Sequence, residues 1–186
     1  PCFLGAGAYN HFIPSVVGHI LQRSEFYTAY TPYQPEISQG TLQTIFEYQS
    51  LICQLTGMEV SNASHYDGAT ALAEAVILAT RQHHSRRKKI VLSAAIHPQF
   101  REVVRTYFQG LDLEIIGDKS LEDTEALLAM IDENMAMVGV QYPDFLGRIE
   151  DFTKLSEVAH AAGALFCMVV NPLALAILKP PSEFDA

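Results

Sequence analysis

The stretch that decides the fold runs from residue 90 to residue 116, IVLSAAIHPQFREVVRTYFQGLDLEII. Ile90-Val91-Leu92-Ser93 is apolar almost throughout, as a strand covered on both faces must be. Pro98 to Phe108 reads as a helix, with proline in the first turn, where its missing N–H is no loss. Leu111 to Ile116 reads as a second strand. A strand, a helix and a strand in immediate succession make a parallel pair with the helix on one face.

The alternation continues downstream. Leu121 to Ile131 predicts a helix and Met137 to Gln141 a strand. Phe152 to Ala161 predicts a helix stopped by Gly163, Ala164 to Val170 a strand, and Pro172 to Leu178 a short helix. Upstream, an Ala-rich helix is expected from about Ala69 to Gln82, after a turn at Tyr66-Asp67-Gly68 and a short strand near Glu59 to Ala63. Leu42, Ile45, Phe46, Gln49, Ile52, Cys53 and Leu55 recur at helical spacing between a Ser38 N-cap and a Gly57 stop. Before that the chain is rich in turn formers and tyrosines, and Pro32 and Pro35 exclude a regular helix around them. The fold class is therefore α/β: an open, mostly parallel sheet with helices on both faces. Residues 1–186 are expected to form a single domain, with a loop-and-helix segment up to about residue 57.

Composition narrows the function. The 186 residues are 49% hydrophobic and 18% charged, with a formal net charge of −9, which is ordinary for a globular domain and repels nucleic-acid phosphates. The one basic run, Arg86-Arg87-Lys88-Lys89, reads as a solvated helix end, as do His83 and His84 beside it. Cys2, Cys53 and Cys167 are odd in number and widely spaced, which argues against a disulfide scaffold or a zinc site and fits a reducing cytoplasm. Cys53 and Cys167 lie in apolar runs and are expected in the core. No apolar stretch is long enough to span a bilayer, and no secretory leader is visible. The chain starts without Met in a loop-like segment and ends in another, so both ends are expected to be cut from something longer.

In a parallel sheet, ligands collect beyond the carboxyl ends of the strands. Those positions carry residues 62–70, NASHYDGAT; Ser93 to Pro98; Gln141 to Gly147; and Asn171-Pro172, while Gly117, Asp118 and Lys119 look like surface turn residues. Asp67, Gly68, Ala69 and Thr70 open a helix, where backbone N–H groups could cradle a phosphate; the plainer reading is an ordinary N-cap. His97 could stack on a flat cofactor or move a proton, or be structural. Metal, hydrolase and mononucleotide motifs are missing, and Gly5-Ala6-Gly7 lacks the strand that a dinucleotide loop requires.

Residues 27–40, YTAYTPYQPEISQG, and 62–74, NASHYDGATALAE, resemble signatures of glycine decarboxylases, the P-proteins of the glycine cleavage system. His97-Pro98-Gln99-Phe100-Arg101 and Leu178-Lys179-Pro180-Pro181 add to the match, which runs along nearly the whole chain and points to the alpha-type subunit. The resemblance implies the large domain of a fold type I pyridoxal-phosphate enzyme. It also implies an oxidoreductase of glycine catabolism, a cytoplasmic heterotetramer with a beta-type subunit, acting on glycine and on the lipoyl group of the H-protein. The coenzyme acts there as electron sink for glycine decarboxylation. Its anchoring lysine belongs to the beta-type half, so no cofactor, no catalytic residue and no metal are expected in this chain.

The sequence agrees with that division. Lys88, Lys89, Lys119 and Lys154 sit at expected helix ends or turns, and Lys179 follows Asn171-Pro172 with no strand between. Asn171 departs from the Asp-Pro expected at this strand end, and an amide cannot supply the charge that pairs with a pyridinium. Tyr142 and Asp144 also depart from a stretch that usually carries Asn. Asp67, Gly68, Ala69, Thr70, His97 and Asn171 thus read as a vestigial cofactor pocket. Substrate contact is expected from Tyr30 and Tyr33, with Asn10 and His11 as further candidates. Two other readings stay open: a non-catalytic scaffold, and a separate aminotransferase or decarboxylase whose lysine lies beyond residue 186.

Overall fold

The computed structural model describes residues 10–83, 86–121 and 123–186. Cys2, Gly5-Ala6-Gly7 and His84 lie outside them. Four strands form one sheet: β1 (Lys89–Leu92), β2 (Glu114–Ile116), β3 (Met135–Tyr142) and β4 (Leu165–Val170). Their order is β2-β1-β3-β4, and each neighbouring pair is parallel. The α/β architecture expected from the alternation is the one found.

Helices α4 (Gly68–Gln82) and α5 (Pro98–Tyr107) cover one face of the sheet, and α6 (Thr124–Ala129) and α7 (Thr153–Ala161) the other. The strands feed both layers because successive side chains point to opposite faces. Ile90 and Leu92 join Leu72, Ala73, Val76 and Val104 under α4 and α5. Val91 joins Leu127, Leu155 and Ala159 under α6 and α7. On β4, Phe166, Met168 and Val170 alternate in the same way with Leu165, Cys167 and Val169. Two 3-10 turns, Pro172–Ala176 and Pro181–Phe184, close the chain, and the second buries Phe184 against Tyr142 and Phe152.

The first third is built differently. It contains α1 (Ser15–Leu21), α2 (Ser24–Tyr27) and α3 (Gln39–Thr56), and none of them holds a buried residue. The helices α1 and α2 were not expected from the sequence, and they flank the Pro32–Pro35 segment that the prolines keep irregular. Gly57 ends α3 with φ +72°, and a Cβ there would strike Ser182, so both the left-handed turn and the close packing require glycine.

Three local expectations are corrected. Glu59 to Ala63 form no strand: Val60 is 83% exposed, Gln49 holds the Ser61 carbonyl, and Asn62 accepts from the Ser64 amide. Side chains that bond the local backbone compete with a ladder. Asp118 is not a surface turn residue. It is buried and takes two hydrogen bonds from the Arg105 guanidinium at 2.5 and 2.6 Å, while its carbonyl accepts from Arg101. The basic run is not merely solvated either. Arg87 donates to the carbonyls of Met135 and Ala162 at 2.8 Å each, Lys88 pairs with Asp112, and Lys89 pairs with Asp132. His83 caps α4 and is partly buried.

Candidate functional site

The strand order places a switch point between β1 and β3: the chain leaves β1 toward β2 on one side and returns through β3 on the other. Connections diverge there and leave a crevice beyond the carboxyl ends. A cavity of about 540 Å³ opens beside it, lined by His97 and Phe100 of α5, Gln141, Pro143 and Asp144 after β3, and Asn171 after β4. His11 reaches it from the N-terminal segment, and Val169, Val170 and Pro172 give it an apolar wall.

Each polar group is held by local chemistry. His97 is the N-cap of α5: its Nδ1 accepts from the Gln99 amide at 3.2 Å, which assigns the neutral ring's proton to Nε2. Its backbone N–H donates to Gln141 Oε1 at 2.8 Å, and Gln141 Nε2 donates to the Pro143 carbonyl at 3.2 Å. Gln141 therefore ties the β1–α5 loop to the end of β3. The His97 ring lies 5.1 Å from that of Phe100 in a stacked arrangement and meets Phe145 edge-on at 4.8 Å.

Asp144 is buried and neutralised within its own loop. It accepts from the amides of Leu146 and Arg148 at 2.8 Å each and from Arg148 Nε at 2.6 Å. That hydrogen bond is the main reason the Arg148 guanidinium is held above its ordinary value. Asn171 turns its amide oxygen to the Leu173 N–H at 3.1 Å, capping the 3-10 turn. Tyr142 faces the core rather than the cavity, and burial is the first cause of its raised pKa.

The start of α4 adjoins the cavity through Phe100. A Cβ on Gly68 would come within 3.0 Å of that ring, so glycine permits the approach. Asp67 caps the helix: its carboxylate accepts from the Thr70 amide at 2.7 Å and from Thr70 Oγ1 at 2.8 Å. The Asp67 amide donates back to Thr70 Oγ1 at 3.1 Å, completing a capping box. The N-cap expected for Asp67 to Thr70 is present. The Thr70 amide bond is the first cause of the lowered Asp67 pKa.

The expected substrate residues divide. Tyr30 and Tyr33 stand together, ring centres 6.1 Å apart, around an open hollow of about 490 Å³ that also includes Glu25, Thr31, Gln34 and Thr41. Both rings are more than three-quarters exposed. His11 belongs instead with His97 and Asn171, and Asn10 is exposed beside it. Phe100 and Gln141 were not singled out as site residues. The signal available for Phe100 was its i+3 spacing from an N-capping histidine. For Gln141 it was an amide within an otherwise apolar strand.

The lysines lie elsewhere. Lys88 and Lys89 are at the opposite, amino end of the sheet, and Lys154 on α7 pairs with Glu125 at 3.0 Å. Lys179 sits over the Phe184 ring at 5.6 Å, and Lys119 is exposed after β2. Among the described residues no group of His, Cys, Asp and Glu is arranged to hold a metal, and no helix is long and apolar enough to cross a membrane.

Comparison with known proteins places these features. The family described as "Glycine cleavage system P-protein" matches residues 1–186. "Probable glycine dehydrogenase (decarboxylating) subunit 1" of Geobacillus kaustophilus (strain HTA426) is 56% identical over 187 residues, which is 99% of this chain and 41% of the relative. Its counterpart in Desulforamulus reducens (strain ATCC BAA-1160 / DSM 100696 / MI-1) is 57% identical over 189 residues, 100% of this chain and 42% of that one. A crystal structure of "glycine decarboxylase (P-protein) of the glycine cleavage system, in inhibitor-bound form" aligns with a TM-score of 0.88 at 45% identity, over 99% of this chain and 41% of its own. The chain thus spans about two fifths of the length of the relatives it matches.

Proposed function

The chain belongs to the glycine cleavage system P-protein family, and from that premise we propose that it is part of an alpha-type subunit of a glycine dehydrogenase (decarboxylating). Residues 1–186 act as one domain whose first third is an arm. The enzyme releases the carboxyl group of glycine as CO2 and passes the aminomethyl group to the lipoyl arm of an H-protein, in the cytoplasm. A beta-type partner carries pyridoxal phosphate, which supplies the electron sink for decarboxylation. The observation that carries this reading is the 56% identity with a subunit 1 relative across 99% of the chain.

The placement of the cofactor on the partner is supported by the cavity's donor set. Among the described residues its lining offers neither lysine nor arginine, and its strand-end residue is an amide rather than an acid. This chain's own contribution is the tyrosine shelf. Tyr30 and Tyr33 present phenol O–H groups that can donate to a carboxylate or orient a lipoyl amide, and their rings exclude water from whatever covers them. His11, His97 and Asn171 shape the cavity behind.

Glycine-dependent exchange of the carboxyl group with bicarbonate tests the proposal. Exchange is expected only when a beta-type partner and H-protein are added. Tyr30→Phe and Tyr33→Phe should each lower the assembled rate by roughly 10-fold, the weight of one hydrogen bond to a charged group. Exchange by this chain alone would defeat the assignment. Unchanged turnover in both variants would remove the tyrosines from the site.

A further inference from the structure

We infer that this chain's own residues, at the cavity and at the adjoining start of α4, do not fit pyridoxal phosphate: the Asp67 carboxylate caps the helix start whose amides would hold a phosphate, and the Phe100 ring stacks on His97. The inference rests on the family's fold, and not on the assignment of the partner.

The first amides of a helix pointing at a sheet's carboxyl edge form an anion site, through their unpaired N–H groups and the positive end of the dipole. On α4 the Thr70 amide is already taken. Asp67 Oδ1 holds the Thr70 amide and hydroxyl, and the Asp67 carbonyl accepts from the Ala71 amide at 3.0 Å. A phosphate arriving here meets a fixed negative charge beside the remaining donors. Among the described residues, no lysine or arginine lines the adjoining cavity to offset it. Like charges at such a distance exclude one another.

A second observation is independent of the cap. Phe100 is clamped between the backbone of Gly68 and the His97 ring, stacked at 5.1 Å with a 30° tilt. One aromatic partner for His97 is thus supplied from within. A third is the Asn171 amide, whose oxygen is committed to the Leu173 amide and cannot serve as a charged partner to a pyridinium. The Gly68 contact joins the two features: without a Cβ there, Phe100 packs directly against the capped helix start.

The test titrates inorganic phosphate and pyridoxamine 5′-phosphate, which cannot form an imine with surface lysines, into isotope-labelled protein. The Gly68, Ala69 and Thr70 amides are read by NMR. The parent should show no saturable shift with either probe. Asp67→Gly retains a residue tolerated at an N-cap and exposes the amides, and it should bind both probes at least about 10-fold more tightly. Equal behaviour of parent and variant, whether both bind or neither does, overturns the role of Asp67. Should Asp67→Gly not fold, Asp67→Asn keeps the cap and drops the charge, and an unchanged phosphate affinity there has the same meaning. Adding Phe100→Ala to Asp67→Gly should tighten pyridoxamine 5′-phosphate but not phosphate. A parallel gain for both, or for neither, overturns the role of Phe100. Glycine exchange with the partner subunit is a separate readout, so failure here leaves the proposed function standing.

Discussion

Residues 69–186 and residues 10–68 both carry many apolar residues but do opposite things with them. The first set buries its apolar residues on both faces of a four-stranded sheet, with Leu72, Ile90, Leu92, Met137 and Leu155 almost free of solvent. The second buries none: Phe46 is 66% and Leu51 63% exposed, on a helix of 18 residues. Helices draw most of their stability from packing rather than from propensity. The contrast teaches that one region is held by its own core, while the other keeps its apolar residues exposed. The exposed tyrosine shelf lies within that second region.

The largest break in the comparison should come from paired truncations. Leu155→Ala removes a fully buried side chain beneath β3 and β4 and should cost about 2–5 kcal/mol in denaturant unfolding. Leu51→Ala, made in the same protein without a partner, should stay within about 0.5 kcal/mol, as an exposed substitution does. Comparable losses would mean that α3 already has a core of its own.

A smaller effect sharpens the picture of the sheet. Cys167 is a partly exposed residue on β4, but its sulfur is enclosed, and burial pushes the thiol up to about 11. A raised value keeps the thiol protonated, and only the thiolate is nucleophilic. Alkylation at pH 8 should therefore modify Cys167 at least about 100-fold more slowly than a free cysteine, with the rate climbing only as pH approaches that value. Fast labelling of Cys167 in native protein, read by peptide mass, would show that β4 is looser than its packing.

The sequence made the sheet legible because its evidence is local. Continuous apolar runs at Ile90, Met137 and Ala164 and turn residues such as Gly57 and Gly163 each carry their meaning within a few positions. The failures share the opposite cause. Gly117-Asp118-Lys119 has turn composition, yet Asp118 is buried because Arg105, 13 residues earlier, reaches back to it. Among the described residues, Glu59 to Ala63 has no neighbouring strand to pair with. Two residues of the cavity lining, His97 and Asn171, were legible one by one. Its organisation was not, since Gln141 reaches His97 across 44 positions and His11 enters from the far end of the chain. The two tyrosines stand together in the fold, apart from His11.

The proposal that the first third packs on a beta-type partner is tested most directly by hydrogen exchange of residues 39–56 with and without that subunit. In the chain alone, these amides should exchange far faster than those of β3. On binding they should slow by at least about 100-fold, a stabilisation of roughly 3 kcal/mol. Amides of α3 that are already as protected as β3, or that remain unchanged in the complex, would contradict it.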